Sequence, residues 1–170
     1  MIKLVGLILI VGSCSAVGLF MNKSLQGRVK ALASFIAALQ IIKAEVVFRA
    51  LPLPRLLNGL ARDGEGAAAH FFGGIGVRMG ERGDSFWVCA QPALKNLKAT
   101  GLLGSDVRAL SVALHALGRY DSGIQAEALD CGIAALSRAL EEAHAELGQK
   151  GRVYRAMGVT VGVMLALMVV

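Results

Sequence analysis

The 170-residue chain is 55% hydrophobic but only 5% aromatic, and alanine, leucine and glycine dominate over the β-branched residues that strands favour, so the composition predicts an all-α fold. Once two apolar ends are set aside for a membrane, about 130 residues remain, which is enough for one domain with its own core. The formal net charge of +6 does not indicate nucleic-acid binding, because all twelve acidic residues lie between Glu45 and Glu146 and no stripe of lysine and arginine crosses that region.

The first predicted element is a membrane-spanning helix. Residues 4–21 are eighteen residues without a formal charge, and Lys23, Arg28 and Lys30 follow at once. As a helix this segment would be about 27 Å long, close to the roughly 30 Å hydrocarbon core of a bilayer. Residues 1–22 are therefore predicted to form an N-terminal transmembrane helix.

Two alternatives for this segment involve processing. Lys3 and the apolar residues 4–11 resemble a cleaved signal peptide, and residues 11–14 resemble a lipoprotein box that would leave Cys14 as an acylated first residue. The lipoprotein alternative would place a helical binding domain outside the cytoplasm. A retained anchor is preferred, because the apolar run continues past this point to Met21, whereas a mature secreted chain would usually turn polar.

Residues 23–155 are predicted to form a bundle of about six helices. The first runs from Gln26 to Arg49 and is expected to be buried, because apolar residues recur three, four and seven apart along one face. Phe35, Ile42 and Val47 widen that stripe. Its members are Val29, Leu32, Ile36, Leu39 and Val46.

Prolines and glycines set the next boundaries. Pro52 is predicted to end the first helix, and Pro54 to open a short second one that ends at Arg62. A glycine-rich helix over residues 67–82, a helix bent or split at Pro92, and a helix capped by Ser105 follow. Their predicted inward residues are Leu56, Leu57 and Leu60, then Phe71, Phe72, Ile75 and Met79, then Phe86, Trp87, Leu94 and Leu97, and finally Val107, Leu110, Leu114 and Leu117.

The longest helical pattern leads to the second apolar end. Alternating spacings of four and three predict a buried seam, made of Leu129, Ile133, Leu136, Leu140, Ala143 and Leu147. Residues 156–170 are fifteen uncharged residues, about 22 Å as a helix, and with Tyr154 and Arg155 as interfacial anchors they are predicted to be a C-terminal transmembrane helix. Because basic residues flank the inner side of both crossings, the positive-inside rule places the central domain in the cytoplasm.

No motif indicates an enzyme, a cofactor, a bound metal or a small-molecule substrate. Glu141 and His144 form a single Glu-x-x-His pattern, whereas a di-iron bundle needs two, and residues 64–69 resemble a dinucleotide fingerprint but follow no strand. Neither a phosphate loop nor a nucleophile elbow is present. The three cysteines fit no disulfide framework and are expected to be buried thiols in a reducing compartment.

Short motifs are spread over the whole chain: the Met-Ile-Lys-Leu-Val-Gly start, Leu39-Gln40 with Glu45, Leu51-Pro52-Leu53-Pro54, Trp87, Leu117-Gly118-Arg119 with Asp121 and Gln125, and Tyr154-Arg155 with Gly158. Together they resemble the stage III sporulation protein AB family of endospore-forming bacteria. The order and spacing of these pieces carry the resemblance, since none is specific alone. The family is similar to the cytoplasmic helical domain of type II secretion F proteins.

This resemblance implies a non-enzymatic platform in the channel complex between mother cell and forespore. It also implies a location in the mother-cell membrane around the forespore, and contact with a companion ATPase, the stage III sporulation protein AA, and with other membrane subunits. Exposed charge on helices whose other faces are apolar suggests two docking surfaces for such partners. Their candidate residues are Arg49, Arg55 and Arg62, and Glu141, Glu142 and Glu146.

Overall fold

A computed structural model describes residues 2–48, 52–117 and 122–169 of the chain, with side chains at 23–47, 52–81, 83–97, 100–117 and 123–149. Over these residues the chain forms six α-helices and one short 3₁₀ turn, with no strand, which confirms the predicted all-α class. The helices are α1 (Ile2–Phe48), α2 (Leu53–Asp63), α3 (Gly66–Arg82), α4 (Phe86–Asn96), α5 (Gly104–His115) and α6 (Ser122–Val169), and the 3₁₀ turn is Leu97–Thr100.

The two terminal helices are longer than predicted, because each joins a predicted membrane segment and the neighbouring bundle helix into one continuous helix. Helix α1 has 47 residues and joins the predicted membrane segment to the first helix of the bundle, and α6 has 48 residues. No proline interrupts either stretch, so nothing in the backbone forces a break. The contacts divide the chain into two compact units, one made of Met1–Gly27 with Glu142–Val170 and one of Arg28–Glu141. The predicted boundaries after residues 22 and 155 fall inside α1 and α6 and stay predictions.

Among the residues whose side chains the structure describes, no helix is both long enough and apolar enough to cross a membrane. The two segments predicted to span, 4–21 and 156–170, lie outside those residues.

The unit Arg28–Glu141 is built around an aromatic cluster. Phe35 of α1 contacts Phe71 and Phe72 of α3 with ring centroids 5.5 and 6.2 Å apart, and the two α3 rings are 5.1 Å apart, all edge to face. Such pairs contribute about 0.5–1.5 kcal/mol beyond their buried area. The rest of the core includes fully buried aliphatic side chains from five helices: Leu32, Leu39, Ile42, Leu57, Ile75, Leu110, Leu114, Leu129 and Leu136.

The buried face of α1 is narrower than the predicted stripe, and Leu32, Phe35, Leu39 and Ile42 are buried as predicted. Phe35 lies at its centre, with Leu32, Leu39 and Ile42 beside it. Ile36 is only half-buried, and Val47 is 47% exposed although the pattern placed it in the core. The ring of Phe35 packs against Phe71 and Phe72 of α3, so packing selected the part of the stripe around Phe35 for burial.

Helices α2 and α3 pack closely because glycines face alanine and leucine. A Cβ added at Gly73 would lie 2.8 Å from Cβ of Ala61, and one at Gly76 would lie 3.3 Å from Cβ of Leu57. The predicted second helix and its inward leucines are confirmed, with Pro52 at the N-cap and Pro54 within the first turn. The glycines of α3 that lower its helix propensity are therefore partly explained by this close approach.

Two boundary predictions differ from the structure. Of the predicted bend or split at Pro92, the split is wrong, because Pro92 lies inside α4, which continues to Asn96. The N-cap of α5 is Leu103 and not Ser105, because the backbone N–H of Leu103 donates to Oδ2 of Asp106 at 3.0 Å and satisfies a free amide at the helix start. The predicted burial of Leu110 and Leu114 in α5 is confirmed.

The seam of α6 is narrower than predicted. Leu129, Leu136 and Ala143 are buried at intervals of seven, whereas Ile133 and Leu140 are half-buried. Gly132 is buried beside Leu129, and a Cβ at this position would overlap Cβ of Ala113 in α5. The absent side chain at Gly132 therefore allows α6 to cross α5 at close range.

Candidate docking surface

Helix α2 presents a basic surface to solvent. Leu56, Leu57 and Leu60 are buried, whereas Arg55 and Arg62 are exposed. Because seven residues make about two helical turns, the two arginines share one face, here called the α2 arginine surface. Neither guanidinium group forms an ion pair within the described part of the chain. Their exposure is what docking would require; the third predicted arginine, Arg49, lies outside the described residues.

The predicted acidic candidates lie on α6. Glu141 and Glu142 are exposed, whereas Glu146 is half-buried and has a partner of its own. His144 is exposed as well, so the Glu-x-x-His pattern lies on a solvated helix face. No group of three histidine, cysteine, aspartate or glutamate side chains among the described residues could hold a metal ion.

A groove that the sequence did not indicate runs between α1 and the α2–α3 turn. One part has a volume of about 320 Å³ and the adjoining part about 260 Å³, and both are lined by Ile41, Leu60 and Gly64. We call it the α1–α2 groove. Gly64 closes α2 by donating its backbone N–H to the carbonyl of Leu60 at 3.0 Å. The available signal was a second apolar spacing on α1, Ala33, Ala37 and Ile41 four apart, which the core stripe concealed.

A buried ion pair holds α1 to α5. Nε and Nη2 of Arg28 donate to Oδ2 and Oδ1 of Asp106 at 3.1 and 3.2 Å. Arg28 is 7% and Asp106 is 2% exposed. The hydroxyl of Ser105 also donates to Oδ1 of Asp106 at 3.3 Å. With the N–H of Leu103, these donors surround the carboxylate, as a buried charge requires.

This pair changes the role of Arg28. The sequence pattern grouped Arg28 with Lys23 and Lys30 as charges flanking a membrane segment, but only the two lysines are exposed. A paired internal arginine does not contribute to an exposed basic cluster. A second ion pair, Lys43 Nζ to Asp130 at 2.6 and 2.7 Å, lies at the surface between α1 and α6.

The side chains of His115 and Asp106 on α5 each contact a different partner. His115 contacts Trp87 edge to face, with ring centroids 4.7 Å apart, while the carboxylate of Asp106 binds Arg28. Cys89 is buried as expected, but Cys131 is exposed, so the expectation of three buried thiols was wrong at that position.

Comparison with known proteins identifies one family. The family model for stage III sporulation protein AB matches residues 3–170. A solved structure, described as stage III sporulation protein AB (SpoIIIAB), is similar with a TM-score of 0.65 and 20% sequence identity, over 71% of this chain and 96% of that one. At this identity the likeness shows the fold alone. No match was found among curated proteins.

Proposed function

Because the chain belongs to the stage III sporulation protein AB family, which assigns it to sporulation, we propose that it is a non-enzymatic platform in the membrane channel complex between mother cell and forespore. In this role the helical domain lies in the cytoplasm and docks a companion ATPase, the stage III sporulation protein AA, together with other membrane subunits. The observation that supports docking most directly is the α2 arginine surface.

The α2 arginine surface suits a protein partner for electrostatic reasons. Leu56, Leu57 and Leu60 already fix α2 in the core, so Arg55 and Arg62 are not needed to hold the helix in place. Arginine is favoured at interfaces because its planar guanidinium group binds carboxylates with two parallel hydrogen bonds. An acidic patch on the ATPase would complement this surface. Glu141 and Glu142 are candidates for a second contact, with basic side chains of a partner.

Charge reversal at the arginine surface is expected to weaken ATPase binding. The double variant Arg55→Glu/Arg62→Glu should lower the affinity at least about tenfold, because it replaces attraction by repulsion across the interface. The measurement is a quantitative pull-down of purified ATPase by the full-length chain in detergent. Arg108→Glu, an exposed arginine on α5, serves as the matched control. Unchanged binding by the double variant would show that α2 is not the docking site.

The proposed membrane location rests on the two apolar ends and the basic residues near them. Lys23 and Lys30 are exposed on α1, as charges that face the cytoplasm would be, and Lys150, Arg152 and Arg155 precede the C-terminal segment. Lysine and arginine next to a membrane span are found mostly on its cytoplasmic side. The central domain would then face the cytoplasm, and both termini would face the opposite side.

Cysteine labelling tests this topology. Single cysteines are introduced as Ser24→Cys, Ser105→Cys and Val169→Cys in a chain whose three native cysteines are replaced by serine, since Cys131 is exposed and would react. In vegetative bacterial cells, positions 24 and 105 are expected to react with an impermeant maleimide only after the cells are opened. Position 169 is expected to react in intact cells. Reaction at position 105 in intact cells would contradict a cytoplasmic domain.

A further inference from the structure

The outer side of α1 is exposed but carries no charge over about four helical turns. The exposed positions from residue 33 to residue 47 are Ala33, Ala37, Gln40, Ile41, Ala44 and Val47. Ile41 is 48% and Val47 is 47% exposed. The opposite side of the same helix is buried through Phe35 and its neighbours. Contiguous exposed apolar surface with polar residues at its edge is typical of a site that binds another protein.

The α1–α2 groove gives this surface a shape that fits a helix. Its walls are mostly small, with Ala33 and Ala37 on α1, Gly64 at the end of α2, and Ala68 and Ala69 at the start of α3. Small side chains allow the backbone of a second helix to approach closely. Ile41 and Leu60 supply the larger apolar contacts at the floor. An amphipathic helix that lies in such a groove buries residues three, four and seven apart.

The charged residues at the rim of the groove indicate the charge of the partner segment that would bind there. Asp63 and Glu65 are exposed beside the groove, and neither forms an ion pair within the described residues. On the other side of α1, Lys43 and Asp130 neutralise each other. Arg55 is the basic residue that lines the α2 end of the groove. The two exposed carboxylates, Asp63 and Glu65, therefore outnumber this cation, and a partner with lysine or arginine next to its apolar face would complement them.

We propose that the α1–α2 groove binds an amphipathic α-helix of a partner protein. The apolar face of that helix lies on Ala37 and Ile41, and its flanking basic side chains pair with Asp63 and Glu65. The groove shares Arg55 with the α2 arginine surface, but Asp63 and Glu65 give its rim the opposite charge, so it takes a different segment from the one that contacts Arg62. The inference does not depend on docking of the ATPase.

The test uses a designed peptide as the probe. A fluorescein-labelled helical peptide of about 16 residues carries leucine and alanine on one face and lysines on both flanks, and a matched peptide has glutamate in place of lysine. The full-length chain is reconstituted in nanodiscs of phosphatidylcholine, so that no anionic lipid attracts the lysines, and binding is followed by fluorescence anisotropy against empty nanodiscs. The lysine peptide is expected to bind saturably, and the glutamate peptide at least about tenfold more weakly.

Two groove variants and two controls localise the binding. Ala37→Glu places a charge on the exposed apolar face without disturbing the core. It should lower the affinity for the lysine peptide at least about tenfold. Asp63→Lys/Glu65→Lys should reverse the preference between the two peptides. Val112→Glu, at a 68% exposed position of α5, should leave binding unchanged. Arg62→Glu should not weaken it, because the added carboxylate lies next to Asp63, and this separates the result from any failure of the ATPase surface.

Three results would overturn the proposal. The first is that neither peptide binds saturably above empty nanodiscs. The second is an equal effect of Ala37→Glu and Val112→Glu, and the third is a preference for the lysine peptide that survives Asp63→Lys/Glu65→Lys. Sedimentation analysis of the same preparations adds a further check: a dimer that dissociates only with Ala37→Glu would assign the groove to a second copy of this chain instead. Thermal unfolding by circular dichroism verifies that each variant is folded.

Discussion

Replacing Asp106 with alanine is expected to lower the free energy of unfolding by about 3–5 kcal/mol, because the buried guanidinium group of Arg28 then loses both of its hydrogen bonds to the Asp106 carboxylate. The same substitution removes the acceptor of the Leu103 N–H, which adds the cost of a lost helix cap. The measurement is chemical unfolding of the full-length chain in detergent, followed by circular dichroism. Asp130→Ala is the matched control, since its pair with Lys43 is solvent-exposed and should be worth at most about 1 kcal/mol.

A double replacement distinguishes the cost of leaving one buried charge from the cost of losing the Asp106 side chain itself. Arg28→Met/Asp106→Leu removes both buried charges and fills the space with apolar atoms, so it should lose less stability than Asp106→Ala alone. A residual loss of about 1 kcal/mol is expected from the missing cap at α5. If Asp106→Ala cost no more than Asp130→Ala, the buried pair would not stabilise the contact between α1 and α5.

Replacing Gly132 with alanine is expected to destabilise the domain by about 1–3 kcal/mol, although alanine is the better helix former. The added methyl group would overlap Cβ of Ala113, and neither group can move without shifting α5 or α6. Gly74→Ala in α3 is the matched control, because a Cβ there meets nothing within 4 Å. That control should raise stability by about 0.5–1 kcal/mol through helix propensity.

A compensating substitution tests whether the contact with Ala113 is responsible. Gly132→Ala/Ala113→Gly moves the methyl group from one helix to the other and should recover most of the loss, less the cost of a glycine in α5. Both stabilities come from the same unfolding measurement. Should Gly132→Ala prove as stabilising as Gly74→Ala, the close crossing of α5 and α6 would be contradicted.

The sequence predicted the helices well wherever periodicity and local breakers agree. Pro52 and Pro54 remove backbone donors, so the boundary between α1 and α2 was fixed by chemistry local to those residues. The inward leucines of α2 followed from spacing alone, because a short amphipathic helix has one possible core face. The exposure of Arg55 and Arg62 follows from the same reasoning.

The candidate surfaces were predicted only in part. The arginines of α2 were found because charge opposite an apolar stripe is a local pattern. The α1–α2 groove was not found, because it depends on how far α1 stands from the α2–α3 turn, and spacing along one helix contains no information about that distance. Cys131 was placed in the core by the average behaviour of cysteine, whereas its position on α6 faces solvent.

The sequence by itself determined the helical class, the order of the elements and the inward face of α2, since each follows from period, composition and proline placement within a few turns of chain. Only the tertiary structure decided that Arg28 is an internal partner of Asp106, 78 residues away, instead of an exposed flanking charge. It also decided which part of the apolar stripe on α1 is buried and that Gly132 is needed beside Ala113. The physical reason is that burial and charge pairing depend on neighbours brought together by folding, and local sequence does not specify those neighbours.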